Sequence, residues 1–411
     1  MCVTLFFVAC SDDDECDDTC PEGTIQLSDC SCFEVEEIES EIQVTENITS
    51  DVTWTAGNEY VINGRIAVES GATLTIQPGT VVKGETGQEA NAAALLIARG
   101  ARLMAEGTAN APIIFTAAGD NLTSDMVLDG TISSPNLNAE VRGTWGGLII
   151  LGNAPISIEG NAIEAQIEGI PTSDSNGLYG GTDAADDSGV IRYVSIRHGG
   201  TNIGQGNEIN GLTLGGVGNG TTIDNIEVVA NLDDGIEWFG GTVDVTNALV
   251  WSCGDDGMDT DQDWSGNCNN WIVALSAGGS AMELDGPEGS QLTGCNTFTN
   301  GTIFAGDVID HIIDFDEDTN TGITDLYVFG VDAGYDPTAG FETFGGDGGC
   351  TSGSWQYTVP AGYDGATLFT AASAVGEAIE VALNANTVGA DSSVFGWTYG
   401  ADSGTLSSIG L

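Results

Sequence analysis

The residues best placed to do chemistry form an acidic series whose spacing repeats. The pair Asp233-Asp234 recurs as Asp255-Asp256. At the same step Glu237 recurs as Asp259, and a slightly longer step carries Asp259 to Glu283. Asp261 and Asp285 keep that longer step. If each step is one turn of a repeating structure, Glu237, Asp259 and Glu283 stack in one column. Asp261 and Asp285 then stand beside Phe239 in the next. Carboxylates stacked at strand spacing repel one another unless a proton or a cation lies between them. Calcium takes six to eight oxygen ligands, so calcium is the expected cofactor of this series. The alternative is a solvated acidic wall screened by salt.

Asp259, Asp261 and Asp263, followed by Ser265-Gly266, also resemble a linear calcium loop. Trp264 stands where that loop needs glycine, and no distal glutamate is correctly spaced. The metal-ligating candidates are therefore Asp233, Asp234, Glu237, Asp255, Asp256, Asp259, Asp261, Asp263, Glu283 and Asp285. Four aromatics lie close by: Trp238, Trp251, Trp264 and Trp271. Flat rings stack on sugars, which makes these four candidate ligand-binding residues, with core filling as the alternative. A catalytic reading has fewer supports. Adjacent Asp255-Asp256 suits acid–base hydrolysis. Arg192 or Arg197 would have to serve as a lyase base, and His198 reads as a structural hydrogen-bonding residue.

The elements that must position these residues are legible as short apolar beats between Gly and Pro corners. Ile66-Ala67-Val68, Gly71–Ile76 and Pro78–Val82 are followed by Leu95-Leu96-Ile97, Gly100–Ala105 and Pro112–Thr116. Ile66 to Leu95 and Leu74 to Leu103 are equal steps, and Val81 to Ile113 is nearly the same. Three short strands per turn describe an all-β, right-handed parallel β-helix, whose coils stack to share one core. A second block aligns Val194–Ile196, Ile226–Val228, Ala248–Val250 and Ile272–Ala274. Each has a partner segment: Leu212–Leu214, Ile236–Trp238, Met258–Thr260 and Met282–Leu284. Stretches 119–143 and 159–189 read as loops inserted between coils. Trp54 and Tyr60 are expected to cover the open first coil. Residues 371–385 have helix-forming composition and are expected to cap the far end.

These beats divide the chain into 1–10, a truncated export signal; 11–50, an acidic cysteine-containing tether; 51–330, the β-helix; and 331–411, a C-terminal cap continuing it. Sixty-two acidic residues face seven basic ones, for a formal net charge of −55. Such a chain lacks the basic footprint of a nucleic-acid binder. Leu5–Ala9 followed by Cys10 resembles the lipobox of bacterial lipoproteins, and Ser11–Glu15 resembles an acidic surface-export signal. That implies lipidation at Cys10 and attachment to the extracellular face of the outer membrane. Cys16, Cys20, Cys30 and Cys32 are expected to form two disulfides in the tether. Cys253 with Cys268 and Cys295 with Cys350 are the expected pairs in the body.

The phrases Gly71–Thr80, Ser195–Gly200, Asp233–Gly241 and Asp255–Asp261 resemble surface lipoproteins of marine Bacteroidetes with pectate-lyase-like β-helices. The resemblance covers nearly the whole chain after the tether. It implies the fold and leaves activity open. The leading expectation is a calcium-stabilised binding or adhesion module without catalysis, for a glycan or another cell-surface ligand. The alternatives are a fibre subunit that self-assembles by end stacking, and a polysaccharide lyase or glycoside hydrolase.

Overall fold

The computed structural model describes residues 24–26, 32–34, 41–87, 92–202, 208–274, 276–291, 294–306, 310–316, 318–336, 340–341, 350–369 and 378–411. Cys10 and the expected tether disulfides lie outside the residues whose side chains are described.

Parallel strands stack coil upon coil into a sheet of fifteen strands and a second of eight. The small sheet runs through Arg65–Val68, Ala94–Ile97, Leu148–Leu151, Leu212–Gly215, Ile236–Phe239, Met258–Asp261, Met282–Leu284 and Asp314–Phe315. Early coils have three separate strands, as in Thr73–Ile76, Val81–Gly84 and Ala94–Ile97. From residue 189 onward this changes. Gly189–Arg197 pairs with both Arg102–Glu106 and Ile113–Ala117, so two of the three strands have fused into one. The fused strand bends at Tyr193, and later coils bend at Asn225, Asn247, Asn270, Asn300 and Asp325, all with positive φ. Asparagine tolerates that left-handed conformation, which is why it recurs there. Asn270 Nδ2 donates to Asn247 Oδ1 at 2.7 Å, and Asn247 Nδ2 to Asn225 Oδ1 at 3.2 Å.

Alternation decides what is buried. Ile66, Leu95, Leu148, Leu212, Ile236, Met258 and Met282 fall in one register and all lie in the core. Two expected alignments are corrected by one residue. Val81 pairs with Ile114, not Ile113, because the tight turn at Thr108–Ala111 shifts the count. Ala248 pairs with Trp271, not Ile272. A one-residue slip reverses which side chains face inward. Thus Val82 and Phe115 enter the core, while Val81 and Ile114 face outward.

Both insertions are folded against the solenoid. Residues 119–143 include a short helix, Ser124–Leu128, and set Leu122, Val127 and Ile132 over Val81 and Ile114. Residues 152–181 place Ile156, Ile167, Ile170 and Tyr179 on Ala67, Leu96, Ile149 and Leu151 of the small sheet. Trp54 and Tyr60 stack at 4.7 Å inside the first coils, but Glu41–Val44 adds a further strand beneath Glu59–Ile62.

The far end is not capped by the expected helix in the described part of that stretch. Ile379–Glu380 is a strand paired with Gln356–Tyr357, and 371–377 lie outside the described residues. Instead, residues 390–411 run back along the outside of the large sheet. Phe395, Tyr399 and Leu406 cover Val229, Leu249, Trp251 and Ile272. The anchor is Glu227, which is fully buried. It accepts from Tyr399 N at 3.0 Å, Gly400 N at 2.9 Å, Trp251 Nε1 at 3.0 Å and Ser195 Oγ at 2.6 Å. Arg197 stands 3.7 Å from it.

Cys295 and Cys350 are bonded as expected. Cys253 and Cys268 are not: both are free and buried. Cys268 is level with Val245 at the start of its long strand, whereas Cys253 follows the far end at Trp251. Among the described residues, no helix is long and apolar enough to cross a membrane.

Candidate metal centre

The expected carboxylate column exists. Thr213, Glu237, Asp259, Glu283 and Asp314 occupy one outward register of the small sheet, and Asp261 pairs with Phe239 one column over. They face outward because Ile236, Trp238, Met258 and Thr260 take the alternate, inward positions. The corner before each strand adds a third column. Gly211 N donates to Asp234 O, Gly235 N to Asp256 O and Gly257 N to Ser280 O. These bonds set Asn210, Asp234, Asp256 and Ser280 in line.

Two groups of three carboxylates converge closely enough to share a cation. In each group, one oxygen per residue lies within 4.8 Å of the others. One group is Asp233, Asp234 and Asp255 at the corner. The other is Asp234, Glu237 and Asp259, which spans two coils; Asp234 belongs to both. Glu283 hydrogen-bonds Asp256, and Asp261 hydrogen-bonds Glu288. Asp285 lies within electrostatic reach of Asp256, Glu288 and Asp316. Of the ten predicted ligands, Asp256, Asp261, Asp263, Glu283 and Asp285 join neither group, and Asp263 stands farthest from the expectation. It is buried, and it accepts from Asn320 Nδ2 at 3.0 Å instead of joining either group.

The electrostatics are those of negative charge held out of water. Burial, reinforced by neighbouring carboxylates, raises Asp234, Glu237 and Asp259 well above the usual carboxylate range. The same causes raise Asp261 to about 8, Glu283 to about 9 and Asp285 to about 6. Raised values of this kind mean that the folded chain favours a proton or a cation at these positions. Asp259 Oδ1 is buried without a hydrogen-bond partner.

Sequence reasoning missed three participants. Glu168 reaches Glu237 from the 152–181 insertion, and Glu288 reaches Asp261 from the loop after the Met282–Leu284 strand. Asn210 donates through Nδ2 to Glu237 Oε2. The step from Asn210 to Asp234 equals that from Asp259 to Glu283, and this was the available signal for Asn210. Glu168 and Glu288 lie outside the repeat and carried none.

The aromatic expectation is overturned. Trp238, Trp251, Trp264 and Trp271 each expose 2% or less of their surface, so none offers a face to a sugar. Trp238 stacks on Trp264 at 4.7 Å, and both meet Phe298 inside the coils. Trp271 fills the space beside Gly301, where a Cβ would lie 2.0 Å from its ring. Trp251 is sealed beneath the C-terminal strap.

The arginines are also engaged. Arg197 is buried, donates to Ser195 Oγ and Ile132 O, and lies over the Tyr399 ring. Arg192 bonds Asp224 through Nε at 2.9 and 3.0 Å. Both belong to the large sheet, away from the acidic columns. His198 is buried with Nδ1 2.8 Å from Val141 O, in keeping with a structural role.

Residues 46–338 match the family described as pectate-lyase like beta helix domain, and the chain belongs to that family. No curated protein and no solved structure matches it.

Proposed function

We propose that this chain is a calcium-stabilised, non-catalytic binding module displayed on the outer surface of the outer membrane. The observation that carries this reading is the pair of carboxylate groups that share Asp234 on adjacent coils. Oxygen-only ligand sets with several carboxylates suit calcium better than softer metals. The half-buried members of the strip, Asp261, Glu283 and Asp285, and the exposed Asp255 offer oxygens to a hydroxylated or carboxylated surface ligand bridged by the ion. With the four tryptophans in the core, recognition of a glycan would proceed through cation and hydroxyl chemistry, not ring stacking. A lyase-type reaction calls for an arginine or lysine base beside the carboxylates; Arg192 and Arg197 are committed elsewhere, and Lys83 pairs with Glu59 on the large sheet. Anchoring is assigned to Cys10 on the strength of the Leu5–Cys10 run.

The test is calcium-dependent retention of the purified chain on cell-surface glycans, with release by chelator and no unsaturated sugar product. In cells carrying a complete signal, Cys10→Ala should move the protein from the membrane to the soluble fraction. Retention indifferent to chelator, or product formed with calcium and lost in Arg192→Ala, would contradict the reading.

A further inference from the structure

Ahead of its bends, the large sheet carries a second outward face. Thr246, Asn269, Thr299 and Thr324 form one column across four successive coils, and Asn267 and Thr297 stand in the column beside it. They face outward because Val245, Cys268, Phe298 and Ile323 take the alternate positions in the core. Asn267 is exposed and the other five are half-buried. The same coils run on to Asp259, Glu283 and Asp314 in the small sheet. In a chain of net charge −55, one side of these coils is acidic and the other is uncharged. The charges that border the face are Asp244, which accepts from Asn267 N at 2.9 Å and Nδ2 at 2.7 Å, and Asp325 at the last bend.

The polar heads are held in place by one another. Thr299 Oγ1 and Asn300 Nδ2 donate to Asn269 Oδ1 at 2.9 and 2.8 Å, and Thr297 Oγ1 donates to Asn267 Oδ1. The hydroxyls keep their lone pairs and the amides keep N–H hydrogens, so acceptors and donors both remain for a partner. They repeat about 4.8 Å apart along the stack and about 6.7 Å apart across it.

We propose that this face binds an extended, uncharged β-linked polysaccharide laid along the stack, one sugar to each coil. A β-1,4-linked hexose chain is a flat ribbon that advances by nearly one strand spacing per sugar, and its edge hydroxyls match hydroxyl and amide partners. Charge selects the same class. A polyuronate or a second copy of this chain brings negative charge to an acidic molecule, and a neutral glycan does not. Side chains already fixed by their neighbours spare part of the ordering cost of binding. The site lies on a different sheet from the carboxylate columns and takes no ion, so it goes beyond the calcium reading.

The experiment measures retention of the purified chain, in chelator, on films of β-1,4-glucan, β-1,4-mannan, chitin and polygalacturonate. At least one neutral film should retain the wild type, and polygalacturonate should not. With soluble oligosaccharides of the retained polymer, affinity should rise with each sugar up to the fourth and then level off. Asn269→Val with Thr299→Val keeps strand-forming residues but removes two polar heads, and should weaken binding about tenfold or more. Thr299→Ser should keep it. Should that pair misfold, Thr297→Val with Thr324→Val takes its place. No neutral film bound, equal binding of polygalacturonate, or unchanged affinity in the double variant overturns the proposal. Self-association lost in the double variant, with no film bound, assigns the face to a second copy instead. Retention that requires calcium and survives the double variant belongs to the carboxylate strip and also overturns this site. Calcium-dependent retention on cell-surface glycans is scored in the double variant, so the two readings fail separately.

Discussion

The outward face of the small sheet is two surfaces built on one ladder. Along a single register it reads Ala67, Leu96, Ile149, Thr213, Glu237, Asp259, Glu283, Asp314. The first three lie beneath Ile156, Ile167 and Ile170 of the insertion and are dry. The last four are carboxylates a strand spacing apart. A β-helix stacks like on like, so the same geometry that multiplies apolar contact in one half multiplies repulsion in the other. The apolar half is complete with protein atoms alone. The acidic half needs protons or cations. The large sheet shows the third solution: the buried Glu227 is satisfied by Arg197 and four hydrogen-bond donors.

The sharpest way to break the comparison is to move a charge across it. Ile149→Asp places an isolated carboxylate under the insertion and should cost about 4 kcal/mol or more in urea unfolding. A cost near 1 kcal/mol would mean the apolar half is wetter than its packing shows. Glu227→Ala should cost about 3–5 kcal/mol, because it leaves Arg197 buried without its partner. It should also free residues 390–411 to limited proteolysis.

The pH response should separate the halves next. Asp261, Glu283 and Asp285 have folded-state values near 8, 9 and 6, above those of an unfolded chain. The folded state therefore binds more protons, and without calcium its stability should fall as pH rises from about 5 to 9. The penalty is complete above the folded values and relieved on approach to the unfolded ones near 4. Melting followed across this window should decline by several degrees in chelator and flatten in calcium. A rising profile in chelator would contradict the assignment. Smallest, Asp259→Asn removes like-charge pairs with Glu237 and Glu283 and should stabilise the chelated protein by about 1 kcal/mol.

Much of this was legible because the repeat is strict where it matters. Ile66 with Leu95, Leu74 with Leu103, and Glu237 with Asp259 and Glu283 pair as their spacing required. Spacing fails where a corner gains one residue, as before Ile114 and Trp271, because corners are not held to the core's period. The fate of Trp238 was contained in the pattern: if Glu237 faces out, its neighbour faces in. Trp251 was not, since what buries it is the distant C-terminal segment around Tyr399 and Leu406. The strap and the reach of Glu168 and Glu288 are products of folding back, which no local pattern encodes, whereas Cys253 and Cys268 are kept apart by the strand register itself.

Thermal melting at pH 7.5 and low salt tests most directly the proposal that a cation, and not only protons, occupies the acidic half. Calcium that binds only the folded chain stabilises by about 2.7 kcal/mol at one hundred times its dissociation constant. The melting temperature should therefore rise by several degrees over the chelated sample. High monovalent salt should recover only part of that rise in chelator. Asp259→Asn should lose most of the calcium response. Identical melting of the wild type in calcium and in chelator at low salt would contradict the account and leave a protonated or merely salt-screened acidic wall.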